Sequence, residues 1–346
     1  MTHVGDLVDV SARRNIPLTA LVEVTYRCNL ACVHCYLHEG PADRPRPPRG
    51  ELTLEEIQRI LGELAEAGTL FVTFTGGEVF LRRDFLDMVA HARELGLCVF
   101  VFTAGTLMTE RDAERLAALA PFAVEMSVYS RDPAVHDAVT KIPGSHGRTL
   151  RALRMLKARG VQTVIKTPLM SVNAGEYAGL VALAAELGAE YGFDPMLTPR
   201  RDGDLAPLAF RLSAEALAEV ARDPVVGDAL RVGGALNADA CGDEGICASG
   251  RRTCRISPYG EVFGCGVSRT PVGNLREQRF RDVWERAPHL GRLRALTIKD
   301  LRAARPDDPL SGGYRCSALA EIEDGDFLGP FRRGDEIAEA IRRARR

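Results

Sequence analysis

The chain reads as an α/β protein: a partial (β/α)6 barrel followed by a small, cysteine-rich C-terminal domain. Three observations lead there. Six apolar runs of strand length alternate with helical periodicities between residues 18 and 200, and their near-continuous apolar character is that of parallel strands covered by helices. Polar and glycine residues fall at the C-terminal ends of those runs, where parallel barrels carry their chemistry. The cysteines, finally, gather into one group after the first strand and another beyond the barrel.

Residues 1–17 read as a short lead-in turn. Leu18–Val24 is the first strand and feeds a cysteine loop; Pro41–Pro48, rich in Pro and Arg, is an exposed loop. Thr53-Leu54-Glu55-Glu56 is a capping-box pattern, and Ile57, Ile60, Leu61 and Leu64 continue it with helical spacing until Gly68. Leu70–Thr75 is the second strand. The alternation continues through a helix at Phe85–Leu95, a strand at Leu97–Thr103, a helix at Thr109–Leu119 and a strand at Phe122–Val128. A helix at Thr149–Arg159 leads to the strand Val161–Thr167. A helix opened by Asn173 and Glu176 leads to the strand Glu190–Asp194. Right-handed crossovers curl such a sheet into an open barrel, short of the eight units of a closed one. The expected organisation is a lead-in (1–17), the barrel (18–200), a linker with a helix at Ser213–Ala221 (201–235), a cysteine domain (236–320) and a tail (321–346).

Lys+Arg 45 against Asp+Glu 47 leaves a net charge of −2, which argues against nucleic acid as the main partner. Arg342–Arg346 reads as a solvated helix face or a frayed end. No secretory or membrane-spanning run is present, so a cytoplasmic location is expected. Nine cysteines in such a chain suggest a reducing compartment and metal ligation in place of disulfides. Cys98 stands apart, in an apolar run, as a core residue.

Cys28, Cys32 and Cys35 form a C-x3-C-x2-C array within Thr25–Glu39. Three thiolates so close can each take one iron of a cubane cluster, whose irons are normally all held by cysteine. No fourth cysteine is near, so one iron is left open to chelate a small molecule and give it an electron. Zinc held by the three cysteines with His34 or His38 is the alternative, although zinc ligands usually come as two separated pairs.

The array resembles the signature of the radical S-adenosylmethionine (radical SAM) superfamily, and Gly76-Gly77-Glu78 at the end of the second strand resembles that family's GGE motif. The resemblance implies a six-unit partial barrel and a four-iron cluster on Cys28, Cys32 and Cys35. The open iron binds SAM, which is cleaved to methionine and a 5′-deoxyadenosyl radical. It further implies SAM contacts from Gly76, Gly77, Glu78, Thr103, Ser127 and Lys166. His34 stands where the family usually has an aromatic against adenine, and Tyr36 follows the third cysteine instead. Two further departures are Val79 after the GGE in place of proline, and Thr-Ala-Gly at 103–105 in place of Thr-Asn-Gly.

Cys241, Cys247, Cys254, Cys265 and Cys316 lie beyond the barrel. Cys247-Ala-Ser-Gly, Ile256-Ser-Pro-Tyr-Gly, Cys265, Gly273-Asn274-Leu275 and Trp284 resemble a SPASM or twitch extension, which holds auxiliary clusters. Two clusters would need roughly seven or eight thiolates, and Arg305 and Ser311 stand where late thiols are anticipated. One auxiliary iron–sulfur cluster is therefore expected, on Cys247 and Cys265 with the rest drawn from Cys241, Cys254 and Cys316. Zinc again is the alternative.

The resemblance implies an enzyme that modifies a peptide or protein by crosslinking, epimerisation or oxidation, fed by a reductant such as flavodoxin or ferredoxin. The seventeen leading residues are too few for a leader-recognition domain, so leader recognition is expected from a separate leader-peptide-binding protein or the barrel mouth. Tyr129, His136 and Asp194 are candidates for steering substrate or moving protons. The enzyme alternative is a small-molecule maturase such as a haem-pathway decarboxylase. The non-enzyme alternative is an iron–sulfur electron carrier or zinc-structured binding protein, against which the intact cysteine array and Glu78 argue.

Overall fold

The computed structural model of the chain describes residues 3–37, 50–223, 245–306 and 315–344. Where a lead-in turn was expected, a helix, α1 (His3–Arg14), precedes the first strand. Strands β1 (Thr19–Thr25), β2 (Phe71–Gly76), β3 (Cys98–Thr103), β4 (Ala123–Ser127), β5 (Thr163–Pro168) and β6 (Glu190–Asp194) then pair in sequence order, all parallel. Helices α2 (Leu54–Glu66), α3 (Phe85–Glu94), α4 (Glu110–Ala118), α5 (Pro133–Thr140), α6 (Ser145–Lys157) and α7 (Tyr177–Leu187) make the crossovers.

Local chemistry sets the helix starts. Thr53 and Thr109 each close a capping box, with Glu56 and Asp112 as reciprocal partners. Helix α5 was not anticipated, although its signal is plain afterwards: Asp132 caps it and Pro133 occupies its first turn.

The two faces of the sheet carry different residues, as the two-residue strand period dictates. Ala20, Val22, Val24, Val72, Phe74, Val99, Val101, Val124, Met126 and Ile165 pack against Ile57, Ile60, Leu61, Met88 and Leu153 of the helices. The alternate positions, among them Glu23, Thr73, Thr75, Glu125, Ser127 and Lys166, face the concave side.

The sheet does not stop at β1. Strand β7 (Thr253–Ile256) pairs parallel with β1, and β8 (Glu261–Phe263) and β9 (Gly273–Asn274) extend it antiparallel. The sheet order is therefore β6-β5-β4-β3-β2-β1-β7-β8-β9, and the C-terminal region is welded to the barrel edge by backbone hydrogen bonds. The β7–β8 turn is Ser257-Pro-Tyr-Gly, in which Gly260 takes φ +87° and donates to the Ser257 carbonyl (3.0 Å). Short helices follow at Phe280–Arg286, Pro288–Ala295, Ile298–Ala304 and Ser317–Asp324.

The expected tail also has structure. Between β6 and β7, helix α8 (Ala214–Arg222) is capped by Ser213. A last helix, Arg332–Ala344, packs on α8 through Ile337 and Ala340 against Leu217, Val220 and Ala221.

Candidate active site

The cysteine loop leaves β1 at the carboxyl end of the barrel and is tied down along its length. Ala31 and Val33 donate backbone hydrogen bonds to Thr140 and Val139 at the end of α5 (both 3.0 Å). Cys35 N donates to the Cys32 carbonyl (3.1 Å), and Leu30 N lies 3.4 Å from Cys28 Sγ. Burial, added to the fields of Cys35 and Cys28, pushes the Cys32 thiol up to about 12. A buried thiol whose ionisation two neighbouring thiols oppose calls for cations beside it.

Gly76 and Gly77 are there for this loop. A methyl on Gly76 would lie 2.1 Å from the Thr25 carbonyl oxygen, and one on Gly77 would lie 2.2 Å from that of Arg27. Backbone bonds run the same way, from Gly77 N to Thr25 O (2.8 Å) and from Glu78 N to Arg27 O (2.9 Å). Glu78 is buried, and its carboxylate accepts from Thr103 Oγ1 (2.6 Å), Ala104 N (2.9 Å) and Phe80 N (3.1 Å). Burial raises its carboxyl in spite of these donors. The GGE segment thus locks the ends of β1, β2 and β3 together, and Thr103 acts first on Glu78.

Tyr129 reaches the loop from the end of β4. Its hydroxyl lies 3.9 Å from Cys32 Sγ, and the Ser127 side chain hydrogen-bonds the phenol oxygen. His34 packs edge-on to the Tyr129 ring (5.0 Å), and burial brings this imidazole down to about 4. His136 is wholly buried; its Nδ1 accepts from Tyr129 N (3.3 Å) and its ring touches His146 (5.2 Å). His136 thus packs against Tyr129 with no exposed surface. Lys166 pairs with Glu125 (2.8 Å) on the concave face. Asp194, at the end of β6, is open to water yet ringed by protein; the crowding raises its carboxyl, while Met196 N (2.8 Å) and Lys166 oppose the shift.

Among the late cysteines the structure separates ligand candidates from core. Burial, with the field of Cys265 added, raises the Cys247 thiol, and burial, with the fields of Cys265 and Cys247 added, pushes Cys316 up to about 12, so the three lie within electrostatic reach. Cys254 does not belong with them. It pairs with Ala20 in the β1–β7 register and packs in the helix-facing core, with burial as the sole cause of its shift to about 12. Strand alternation accounts for this correction, since Arg255 takes the concave side and turns Cys254 away. Cys241 lies outside the described residues.

The Radical SAM superfamily model matches residues 22–184, and the SPASM iron–sulfur cluster-binding domain matches 247–307. The PqqA peptide cyclase of Xanthomonas campestris pv. campestris (strain 8004) is 30% identical over 331 residues, covering 91% of this chain and 86% of that relative. The chain belongs to the radical SAM superfamily. The AdoMet-dependent heme synthase of Methanosarcina barkeri (strain Fusaro / DSM 804) is 29% identical over 340 residues, covering 92% of this chain and 96% of that one. In fold, the chain is similar to Streptococcus suis SuiB bound to S-adenosylmethionine (TM-score 0.65, 18% identity, 85% and 69% covered). It is also similar to native anSMEcpe with bound AdoMet (TM-score 0.68, 16% identity, 95% and 96% covered).

As a radical SAM enzyme, the chain uses SAM and four-iron clusters, and its donors suit them. Among the described residues no three Cys, His, Asp or Glu side chains converge closely enough for a single ion, which zinc requires. A cubane takes each thiolate at a different iron, so spread soft donors fit it. No described helix is long and apolar enough to cross a membrane.

One group went unread in the sequence. Glu23, fully buried on β1, sits between Arg201 and Arg255, with Tyr26 and Tyr36 on the same carboxylate. The signal was a lone acid inside an otherwise apolar strand. Tyr36 spends its hydroxyl and a ring face here, on Glu23 and Arg201.

Proposed function

We propose that Cys28, Cys32 and Cys35 hold the cluster that binds SAM, that Cys247, Cys265 and Cys316 hold an auxiliary one, and that the enzyme modifies a peptide. The observation that carries the first part is the placing of Cys28, Cys32 and Cys35, with no fourth cysteine in the sequence of that loop, at the carboxyl end of a parallel barrel beside the buried Glu78. The cluster, when bound, supplies the electron that splits SAM into methionine and a radical able to abstract a substrate hydrogen.

The protein's own groups have separable tasks. Glu78, whose burial favours the neutral form, is poised to gain charge against a cation such as the methionine amino group. Gly76 and Gly77 keep the backbone close enough for that carboxylate to face the loop. Tyr129 donates its phenol hydrogen to the Cys32 thiolate, while Ser127 satisfies the phenol oxygen. Lys166, Glu125 and Asp194 line the open side of the sheet, where substrate and the ribose would approach.

A peptide substrate is supported by the 30% identity to PqqA peptide cyclase across nearly the whole chain. The heme synthase relative supports a second reading, in which the substrate is a porphyrin carboxylate. Side-chain charge favours the peptide. Lys166 is paired with Glu125, and Arg201 and Arg255 are both engaged on Glu23, so each of these three cations already has a carboxylate partner. A substrate bristling with carboxylates would find little to bind there.

The test is anaerobic incubation of reconstituted enzyme with SAM, dithionite and peptides encoded beside its gene, followed by mass spectrometry. A peptide mass change that tracks 5′-deoxyadenosine supports the proposal. Turnover of an iron porphyrin carboxylate, with every peptide unchanged, replaces it with the second reading.

A further inference from the structure

We propose that Glu23, Arg201 and Arg255 form a buried charge junction that positions the Cys35 and Cys265 loops and sets the electron affinity of both. This inference rests on the reading above, in which both loops carry clusters.

Both carboxylate oxygens of Glu23 are taken up by hydrogen bonds. Glu23 Oε2 accepts from Arg201 Nη1 (2.6 Å), Arg255 Nη1 (2.9 Å) and Tyr26 Oη (3.0 Å). Its other oxygen meets Arg201 Nη2 and Tyr36 Oη. Glu23 and Arg255 are each only 1% exposed.

Two arms leave it. In the first, Arg201 lays its guanidinium over the Tyr36 ring (5.0 Å) and donates its backbone N–H to the Tyr36 carbonyl (3.0 Å). Tyr36 is bonded directly to Cys35. In the second, Arg255 stacks on Phe263 (3.7 Å) and donates Nη2 to the Ser268 carbonyl (2.8 Å). Ser268 N in turn lies 3.4 Å from Cys265 Sγ. One carboxylate therefore links, through two short chains of contacts, a residue next to the third cysteine of the first array and a cysteine of the second.

The charges do not cancel. Two guanidiniums face one carboxylate, and both tyrosines stay neutral, so a net positive charge is buried between the two loops. Burying such a group is costly, and well-packed apolar residues would hold β7 to β1 at least as firmly. What apolar residues cannot do is favour an added electron nearby. Reduction adds one negative charge to a cluster, and potentials respond to local charge and exposure. A fixed buried cation in a weakly screening interior therefore pulls both potentials up.

This role makes a signed prediction that a merely structural one does not. In the reconstituted holoenzyme, EPR-monitored redox titration follows each cluster in Glu23→Gln, Arg201→Met and Arg255→Met. Glu23→Gln removes the negative charge and raises both potentials; either Arg→Met change lowers them. The expected size is about tenfold in the one-electron equilibrium, or ~59 mV. Arg201→Met should act more on the SAM-binding cluster and Arg255→Met more on the auxiliary one. If Glu23→Gln fails to fold, that crossed pattern in the two arginine variants still decides the matter. Shifts of one sign in all variants, or none in the arginine pair, overturn the junction while leaving the clusters in place. Wild-type protein without iron at either loop overturns the reading beneath it as well.

Discussion

Cys254 and Cys316 make matched opposites, and replacing each by alanine tests how the structure divides the late cysteines. Cys254 sits in the apolar core, in register with Ala20 and only 2% exposed. Cys316 lies within the field of Cys247 and Cys265. Cys254→Ala removes one sulfur from a packed site, a loss comparable to a buried methylene, and should cost about 1 kcal/mol. It should leave iron alone: about eight irons per chain, four for each of two cubanes. Cys316→Ala removes a ligand, and the auxiliary site should then hold about four fewer irons or convert to a smaller cluster. The assay is iron and sulfide quantification after anaerobic reconstitution, with the melting temperature measured alongside. For a chain of this size, 1 kcal/mol corresponds to a fall of roughly 1–2 °C. A normal iron content in Cys316→Ala together with iron loss in Cys254→Ala would refute the assignment, and with it the facing of β7.

Two further outcomes follow from the first site. In Gly77→Ala, the new methyl meets the Arg27 carbonyl at 2.2 Å, and because backbone must move the cost should be about 3 kcal/mol or more; full iron binding at Cys28, Cys32 and Cys35 would contradict the fit. Tyr129→Phe keeps the ring but deletes the hydroxyl 3.9 Å from Cys32 Sγ. Losing about 1 kcal/mol of hydrogen bonding to the thiolate should lower the cluster's potential by roughly 40 mV, and an unchanged potential would show that the contact is not made in the holoenzyme.

Much of this architecture could be read from residues close together in the chain. The barrel strands announce themselves by apolar runs, α2 and α4 by capping boxes, and the cysteine array and GGE by spacing. What could not be read depends on partners far apart in the chain. Arg201 and Arg255 meet Glu23 across 178 and 232 residues, and no local pattern encodes that. The pairing of β7 with β1 is equally long-range, and it decides which way Cys254 points. Cys254 stood beside Cys241 and Cys316 as a candidate ligand because the sequence of cysteines carries no information about sheet face. The glycines of the GGE also answer to a constraint that no local pattern shows: a methyl on either would meet the carbonyl of Thr25 or Arg27. Helix α5 is a different case: Asp132 and Pro133 gave the signal, and the short segment between two strong elements was passed over.

The most direct test of the account is the effect of SAM on the reduced, anaerobically reconstituted protein in EPR. The account predicts that SAM alters the signal of the cluster on Cys28, Cys32 and Cys35, with 5′-deoxyadenosine formed in wild type and lost in Cys32→Ala. A signal indifferent to SAM, or 5′-deoxyadenosine formed equally well without Cys32, would contradict it.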